Sequence, residues 1–592
     1  MLRRHWGMLA SVAIFASGSA GAQSPDADQV DRMQRQMEQL QEQMKQVKGD
    51  LADAKKKAAE AKAAASPFDG AYAADPPHAA AKAAVVAPSA IVVMSPTNAP
   101  SICTPDQLNC IGLTGTLHLD LGGYNYRPAT SLGINSVTGA PITTVTSGKR
   151  VLFATTPQAL DDGVNVRRGR IGVVGKFMGD WNYNLTYDFG NSSDGFGGLA
   201  PGSLPGGGTS GIEQAYLSYT GLSKWTGLTG FAIEGGYMVV PYTLDQATSS
   251  NDTMFMERAS SQVIAANIAA GDFRSAGGLR GYNDWIWAGG YFTGPVSGTI
   301  HTDTTSVTAL VPTVPAGCSG TIPAGLKCSA ATTVNVTTAG ASEQYGSTAR
   351  LAFQPLSGQG YSVHIGGDVE VLLSPPVGPA GTSVAGKRTL TLSDRPELRI
   401  DPTVLLNTGA IANVSRAEVY SVEAAAGWGP LFFQGEYFWY VINREVPGNV
   451  APTPPLSSLN FNGGYAEASW TITGESRAYN PASGAYARIV PSNPVNPGGT
   501  GWGAWEIAAR YSVVNLNDQV GTAAGIAGGQ QSIFTAGLNW YVTSNIMFKL
   551  NYLHGIFDKT AFAINAANAN LVSTGNVGAN FDAVAGRMQI AF

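Results

Sequence analysis

Apolar and polar residues alternate with a period of two over many separate stretches of this chain. Near the C-terminus, Phe592, Ile590, Met588, Gly586 and Val584 form one set, and Ala591, Gln589, Arg587 and Ala585 the other. Ile111, Leu113, Leu117, Leu119 and Leu121 alternate with Thr114, Thr116, His118 and Asp120. The same holds for Trp181 to Phe189, Trp505 to Ser512, Phe534 to Tyr541 and Ile546 to Tyr552. Successive side chains of a strand point to opposite faces, so each stretch predicts a strand with one apolar and one polar face. Aromatic residues end several of the apolar faces, as the interfacial girdles of a membrane barrel require. After residue 20 no run reaches the roughly 18 apolar residues of a spanning helix. Strands in lipid must close on themselves, because an open edge would leave backbone groups unpaired. The pattern therefore predicts an all-β fold, a transmembrane antiparallel β-barrel.

The N-terminal region follows other rules. Residues 1–22 read as a signal peptide: Arg3 and Arg4, an apolar core from Met8 to Ala16, then the small residues Ala20-Gly21-Ala22. In residues 26–62, Val30, Met33, Met37, Leu40, Met44, Val47, Leu51, Ala54 and Ala58 recur at spacings of three and four. This heptad predicts an α-helical coiled coil. Its narrow seam favours self-association over packing on the chain's own barrel. Four heptads are short, so the helix needs partners already held close. Residues 63–110 are rich in Ala, Pro and Ser and read as a mostly irregular linker. The four cysteines fall in two local pairs, Cys103 with Cys110 and Cys318 with Cys328. Export favours two short-range disulfides; a metal site would want histidines nearby, and none stands there.

Residues 111–592 form the barrel domain. At roughly ten residues per crossing, plus turns and loops, this length suits about sixteen strands. Turn-rich stretches at 127–165, 190–210, 295–344, 371–386, 443–460, 478–503, 519–531 and 558–580 read as exposed loops. Within this domain stand RRGRIGVVGKFMGDWNYNLTYDF (167–189), ATSSNDTMFMER (247–258), RPELRIDPTVLLNTGAI (395–411), GPLFFQGEY (429–437) and TITGESRAY (471–479). GAWEIAARYS (503–512), GLNWYVTSNIMFKLNY (537–552) and RMQIAF (587–592) follow in order. By these blocks the chain resembles the phosphate-selective porin (porin O/P) family of Gram-negative outer membranes. The resemblance implies a sixteen-stranded barrel in outer-membrane lipid, a homotrimer, and a loop folded into each lumen. On that reading the coiled coil lies in the periplasm, and Phe592 is similar to the terminal aromatic residue of an outer-membrane insertion signal.

No enzyme signature emerges. Of the six histidines, His5 and His78 precede the barrel, and His118, His301, His364 and His554 are isolated from one another. There is no Ser/His/Asp motif, clustered metal-ligand spacing or phosphate-cradling Gly loop, and no cofactor or nucleic-acid partner is expected. Alternation instead turns charges into the lumen: Arg168, Arg170, Lys176, Arg350, Arg399, Arg510, Lys549 and Arg587, together with Asp120, Asp188, Glu436 and Glu506. Two readings stay open for these: a basic track that attracts anions, or cross-strand ion pairs that brace a water-filled wall.

By its match to the family block, the constriction loop spans about Asp245 to Ser275, with Asp252, Glu257, Arg258, Asp272 and Arg274. The phosphate-selecting members carry eyelet lysines, and this loop has none; Asn251 stands where lysine would follow the Ser-Ser pair. The chain's 36 Lys and Arg face 41 Asp and Glu, a net charge of −5, so no strongly anion-attracting field is evident. The expected function is a water-filled diffusion channel for small anions, phosphate among them, or other small polar solutes. The alternative is a structural envelope barrel with a coiled-coil tether. The expected pore-lining set is Arg168, Arg170, Lys176, Arg258, Arg274, Arg350, Arg399, Arg510, Lys549 and Arg587.

Overall fold

Sixteen antiparallel strands carry the period-2 pattern around a closed ring. The computed structural model describes residues 90–94, 100–128, 160–190, 211–271, 273–294, 303–309, 334–340, 345–377, 387–445, 456–496, 498–520, 522, 524–564 and 571–592. The expected signal peptide, the coiled coil at 26–62, and Cys318 with Cys328 lie outside these residues. The barrel strands are β1 (Cys110–Pro128), β2 (Gly163–Phe177), β3 (Trp181–Asp188), β4 (Gly211–Tyr219), β5 (Ala232–Met238) and β6 (Arg274–Tyr282). Then come β7 (Ile286–Thr293), β8 (Gly346–Gly358), β9 (Tyr361–Leu372), β10 (Val414–Trp428) and β11 (Leu431–Arg444). The ring ends with β12 (Leu459–Thr471), β13 (Ala504–Asp518), β14 (Ile526–Tyr541), β15 (Ile546–Ile564) and β16 (Leu571–Ala591). Each strand pairs with its sequence neighbours, and β16 returns to β1 along Ala579↔Pro128 to Ala591↔Thr116. The last residue completes the closure, because Phe592 and Gly115 exchange both backbone hydrogen bonds at 3.0 Å. A Cβ on Gly115 would meet the far end of the Phe592 ring at 2.5 Å, so a larger residue there would displace that ring.

Burial is inverted relative to a water-soluble sandwich. Outward residues are apolar and exposed, for example Ile171 at 63%, Leu185 at 50% and Phe433 at 53%. Inward residues are polar and buried: His118, Asp120, Arg168, Asp188, Glu423, Glu436, Glu506, Arg510 and Arg587. A wall that hides its charges and shows its hydrocarbon suits lipid outside and polar groups within. Aromatic pairs collect near one rim, with Phe177 on Trp181, Tyr361 on Trp428, and Trp505 on Trp540 on Phe548. That rim carries mostly short connections, such as residues 178–180, 359–360 and 542–545. Two further short strands, Ile91–Met94 and Pro100–Cys103, extend from the same rim. The second pairs with β1 over Ser101↔Gly112 to Cys103↔Cys110, and Cys103 is disulfide-bonded to Cys110.

Among the described residues, three connections fold inward. Residues 239–273, between β5 and β6, enter from the long-loop rim with the helical turn Leu244–Ala247 and the short helix Ser260–Ala266. Residues 387–413, before β10, enter beside them, and 472–503, between β12 and β13, rise from the short-turn rim. Val240, Ile264, Ile268, Leu390, Leu392, Leu405, Leu406 and Ile411 pack with Val419, Phe438, Tyr440 and Phe461 in one apolar core inside the ring. This corrects two expectations. The stretch 478–503 is not wholly exposed, since Ala485, Tyr486 and Ile489 are buried. Arg399 does not sit on a strand but on the inserted 387–413 segment. Its Leu-rich neighbourhood packs sideways against another loop, so the apolar residues there need no period of two.

Candidate functional site

The inserted loop 239–273 crosses the lumen without a partner strand, so its backbone groups need other partners. The wall supplies them. Seven consecutive carbonyls each accept a hydrogen bond from an inward side chain or from the short-turn insertion. Gln589 Nε2 reaches Asn251 at 2.8 Å, Arg477 Nη1 reaches Asp252 at 3.0 Å, and Lys549 Nζ reaches Thr253 at 2.6 Å. Asn539 Nδ2 reaches Met254 at 2.9 Å and Lys549 Nζ also reaches Phe255 at 3.1 Å. Arg587 Nη1 binds the Met256 carbonyl and Arg510 Nη1 that of Glu257, the latter at 2.9 Å. Carboxylates hold the two ends. Glu436 on β11 accepts from the Leu244 N–H at 2.7 Å, and Glu370 on β9 accepts from the N–H groups of Ala269 and Ala270.

Several of the expected pore-lining cations bond to the inserted loop or to a carboxylate. Arg510, Lys549 and Arg587 grip the loop. Arg510 also pairs with Glu397 at 2.5 Å, and Arg587 with Asp120 and Glu257 at 2.6 Å each. Arg350 pairs with Glu423 at 2.9 Å and donates to the carbonyls of Ser483 and Gly484. Arg170 pairs with Asp188 at 3.0 Å and with Glu213. Arg274 begins β6, buried beside Glu370. Lys176 sits half-buried near the short-turn end of β2.

The remaining three come together. Arg168, Arg258 and Arg399 line a cavity of about 30 Å³ with Arg167, Glu257, Gln246, Gln262, Val263, Ala266 and Asn267. That volume holds about one or two waters. Arg399 also pairs with Asp394 at 2.6 Å, and Arg258 donates to the carbonyls of Asp245 and Thr248 at 3.1 and 2.8 Å. The lining thus carries four guanidinium groups and one carboxylate.

Arg167 is the member that alternation missed. The register with β1 slips between His118↔Arg168 and Leu119↔Val166, leaving Arg167 as an extra residue in a bulge. Arg167 and Arg168 consequently both turn inward and are almost wholly buried. Arg167 meets Glu257 through Nε at 2.8 Å and Nη2 at 3.0 Å. Burial alone would raise the Glu257 carboxyl, but Arg167, Arg587 and Arg168 hold it well below the usual carboxylate range. Asp245 and Asp252 on the same loop go the other way: burial pushes both up, against the pull of Arg258 and Arg488 respectively.

A match to the family described as phosphate-selective porin O and P covers residues 154–592. The chain is 31% identical over 214 residues to an uncharacterised protein of Caulobacter vibrioides, across 36% of this chain and 37% of that one. It is 28% identical over 145 residues to porin O of Pseudomonas aeruginosa, across 24% of this chain and 30% of that one. The aligned stretches thus span about a third of the length of these relatives. Among solved structures, OmpT of Vibrio cholerae aligns over 82% of this chain and 98% of its own, at 9% identity and a TM-score of 0.39.

Proposed function

Since the chain belongs to the phosphate-selective porin O and P family of outer-membrane β-barrels, we propose that it forms a narrow diffusion channel favouring small anions. The observation that carries this reading is the cavity beside the inserted loop, where Arg167, Arg258 and Arg399 pair with Glu257, Asp245 and Asp394 and Arg168 has no carboxylate partner among the described residues. A small anion entering it exchanges water for guanidinium donors, and the low-dielectric walls focus the field of the uncompensated charge. Phosphate binds there only weakly. It must shed strongly held water, and the eyelet loop 245–275 supplies no lysine to offset that loss.

Short turns face the periplasm in barrels of this kind. The short-turn rim, and with it the coiled coil at 26–62, then lie on that side, and the heptad staples a homotrimer. Polar substitution of Leu40 and Met44 should lower the thermal stability of that trimer, whereas residues 111–592 alone should form a less stable one.

Reversal potentials in a KCl gradient test the channel reading. The wild type should prefer chloride, Arg258→Glu should shift the preference toward cations, and phosphate should block only above the millimolar range. A cation-selective wild type defeats the anion reading, and submillimolar phosphate block defeats the weak-site part. A second reading rests on the packing inside the ring. With three insertions and an apolar core in the lumen, the barrel serves as a plugged structural element, and single-channel recordings would then show no conductance.

A further inference from the structure

His118 and Arg168 oppose each other in the register of β1 and β2. The imidazole is fully buried. Its Nδ1 stands 3.3 Å from Arg168 Nη1, and its Nε2 stands 3.0 Å from Asn251 Oδ1. A guanidinium can only donate, so Nδ1 accepts, and the ring's proton is on Nε2, donated to Asn251. Asn251 is itself fixed, its Nδ2 donating to Thr116 Oγ1 at 3.1 Å. A chain of hydrogen bonds therefore runs from Thr116 of β1 to Asn251 of the inserted loop, back to His118 of β1 and on to Arg168 of β2, and it specifies a neutral histidine in one tautomer.

The choice of partner matters. Arg167, Arg170, Arg350, Arg477, Arg510 and Arg587 each meet a carboxylate within 3.1 Å. Arg168 makes no ion pair among the described residues, and its buried Nε has no hydrogen-bond partner. It lines the cavity all the same. A carboxylate at position 118 would cancel the charge of Arg168, and an apolar residue would leave the guanidinium free to swing toward Glu257. A neutral acceptor holds the group still and leaves its charge available.

We infer that His118 is a positioning residue that orients the uncompensated Arg168 guanidinium toward small anions in the cavity. The inference rests on the anion-channel reading above. Its test uses the full chain in planar bilayers, with reversal potentials in a KCl gradient for wild type, Arg168→Gln, His118→Gln, His118→Leu and His118→Glu, and a thermal unfolding curve for each. Glutamine can both accept from Arg168 and donate to Asn251, so His118→Gln should keep the wild-type chloride preference. His118→Leu and His118→Glu should fall to the level of Arg168→Gln. If both retain the wild-type preference while Arg168→Gln loses it, His118 has no positioning role and the anion reading still stands. If His118→Leu does not fold, the Gln and Glu variants decide alone, and equal preference in the two overturns the inference. A wild type without chloride preference overturns the anion reading and this inference with it.

Discussion

Arg167 of β2 grips Glu257 of the inserted loop through two parallel hydrogen bonds, Nε to Oε1 at 2.8 Å and Nη2 to Oε2 at 3.0 Å. Arg587 of β16 reaches the same carboxylate at 2.6 Å. One glutamate thereby ties the loop to both sides of the seam at which the barrel closes, since β1 lies between those strands. Removing one partner of such a buried pair costs about 3–5 kcal/mol, because the other charge is left without compensation. Glu257→Ala should therefore lower the thermal unfolding temperature while far-ultraviolet circular dichroism still reports a barrel. Open-channel current noise should rise as the loop loosens.

The pH dependence of that tie has a definite sign. The folded-state pKa of Glu257 lies well below that of the unfolded chain, held down by Arg167, Arg587 and Arg168 against the effect of burial. The unfolded state then takes up the proton first, so the contribution is complete above about pH 4.3, the ordinary value for glutamate. It fades only as pH falls through the lower folded value. The stability difference between wild type and Glu257→Gln should stay flat from pH 7 to about pH 5 and shrink below about pH 4. A difference that shrinks already between pH 7 and 5 would contradict the depressed carboxyl.

The outward face should tolerate no charge. Ile171 lies mid-strand on β2 and is 63% exposed to the surroundings of the barrel. Ile171→Arg would place a guanidinium in hydrocarbon, at a cost of about 2–4 kcal/mol near the bilayer midplane. Folding into lipid vesicles, followed by urea titration, should show that loss. Val164→Arg, near the long-loop end of the same strand, should cost clearly less.

Cys103 and Cys110 close a short hairpin at the base of β1. A loop of this length is stabilised by about 2–3 kcal/mol when cross-linked, but the gain is local to the hairpin that Pro100–Cys103 forms with the first residues of β1. Cys103→Ser with Cys110→Ser should leave the thermal unfolding of the barrel unchanged. Limited proteolysis should then cut faster between residues 100 and 110.

Alternation was enough for the all-β class, because lipid outside and polar groups inside force a period of two on every crossing, while the strand number came from the length of residues 111–592 and the family resemblance. It also set Arg168, Arg510, Lys549 and Arg587 on the polar faces of their strands, and all four side chains are buried. Three things were decided only in three dimensions. The bulge beside His118 turns Arg167 inward against the alternation, and one extra residue in a ladder leaves no mark on composition. The segment holding Arg399 and the one from 472 to 503 fold into the lumen, where loops pack against loops and no repeat announces their buried face. The inward cations were legible as inward, but not what they bind. Arg510, Lys549 and Arg587 hold carbonyls of a loop roughly 250 to 340 residues away in sequence, while Arg168 faces a histidine. A residue's own strand sets the side it faces; the partner that neutralises its charge or leaves it available comes from distant chain, and only the closed barrel brings that chain near.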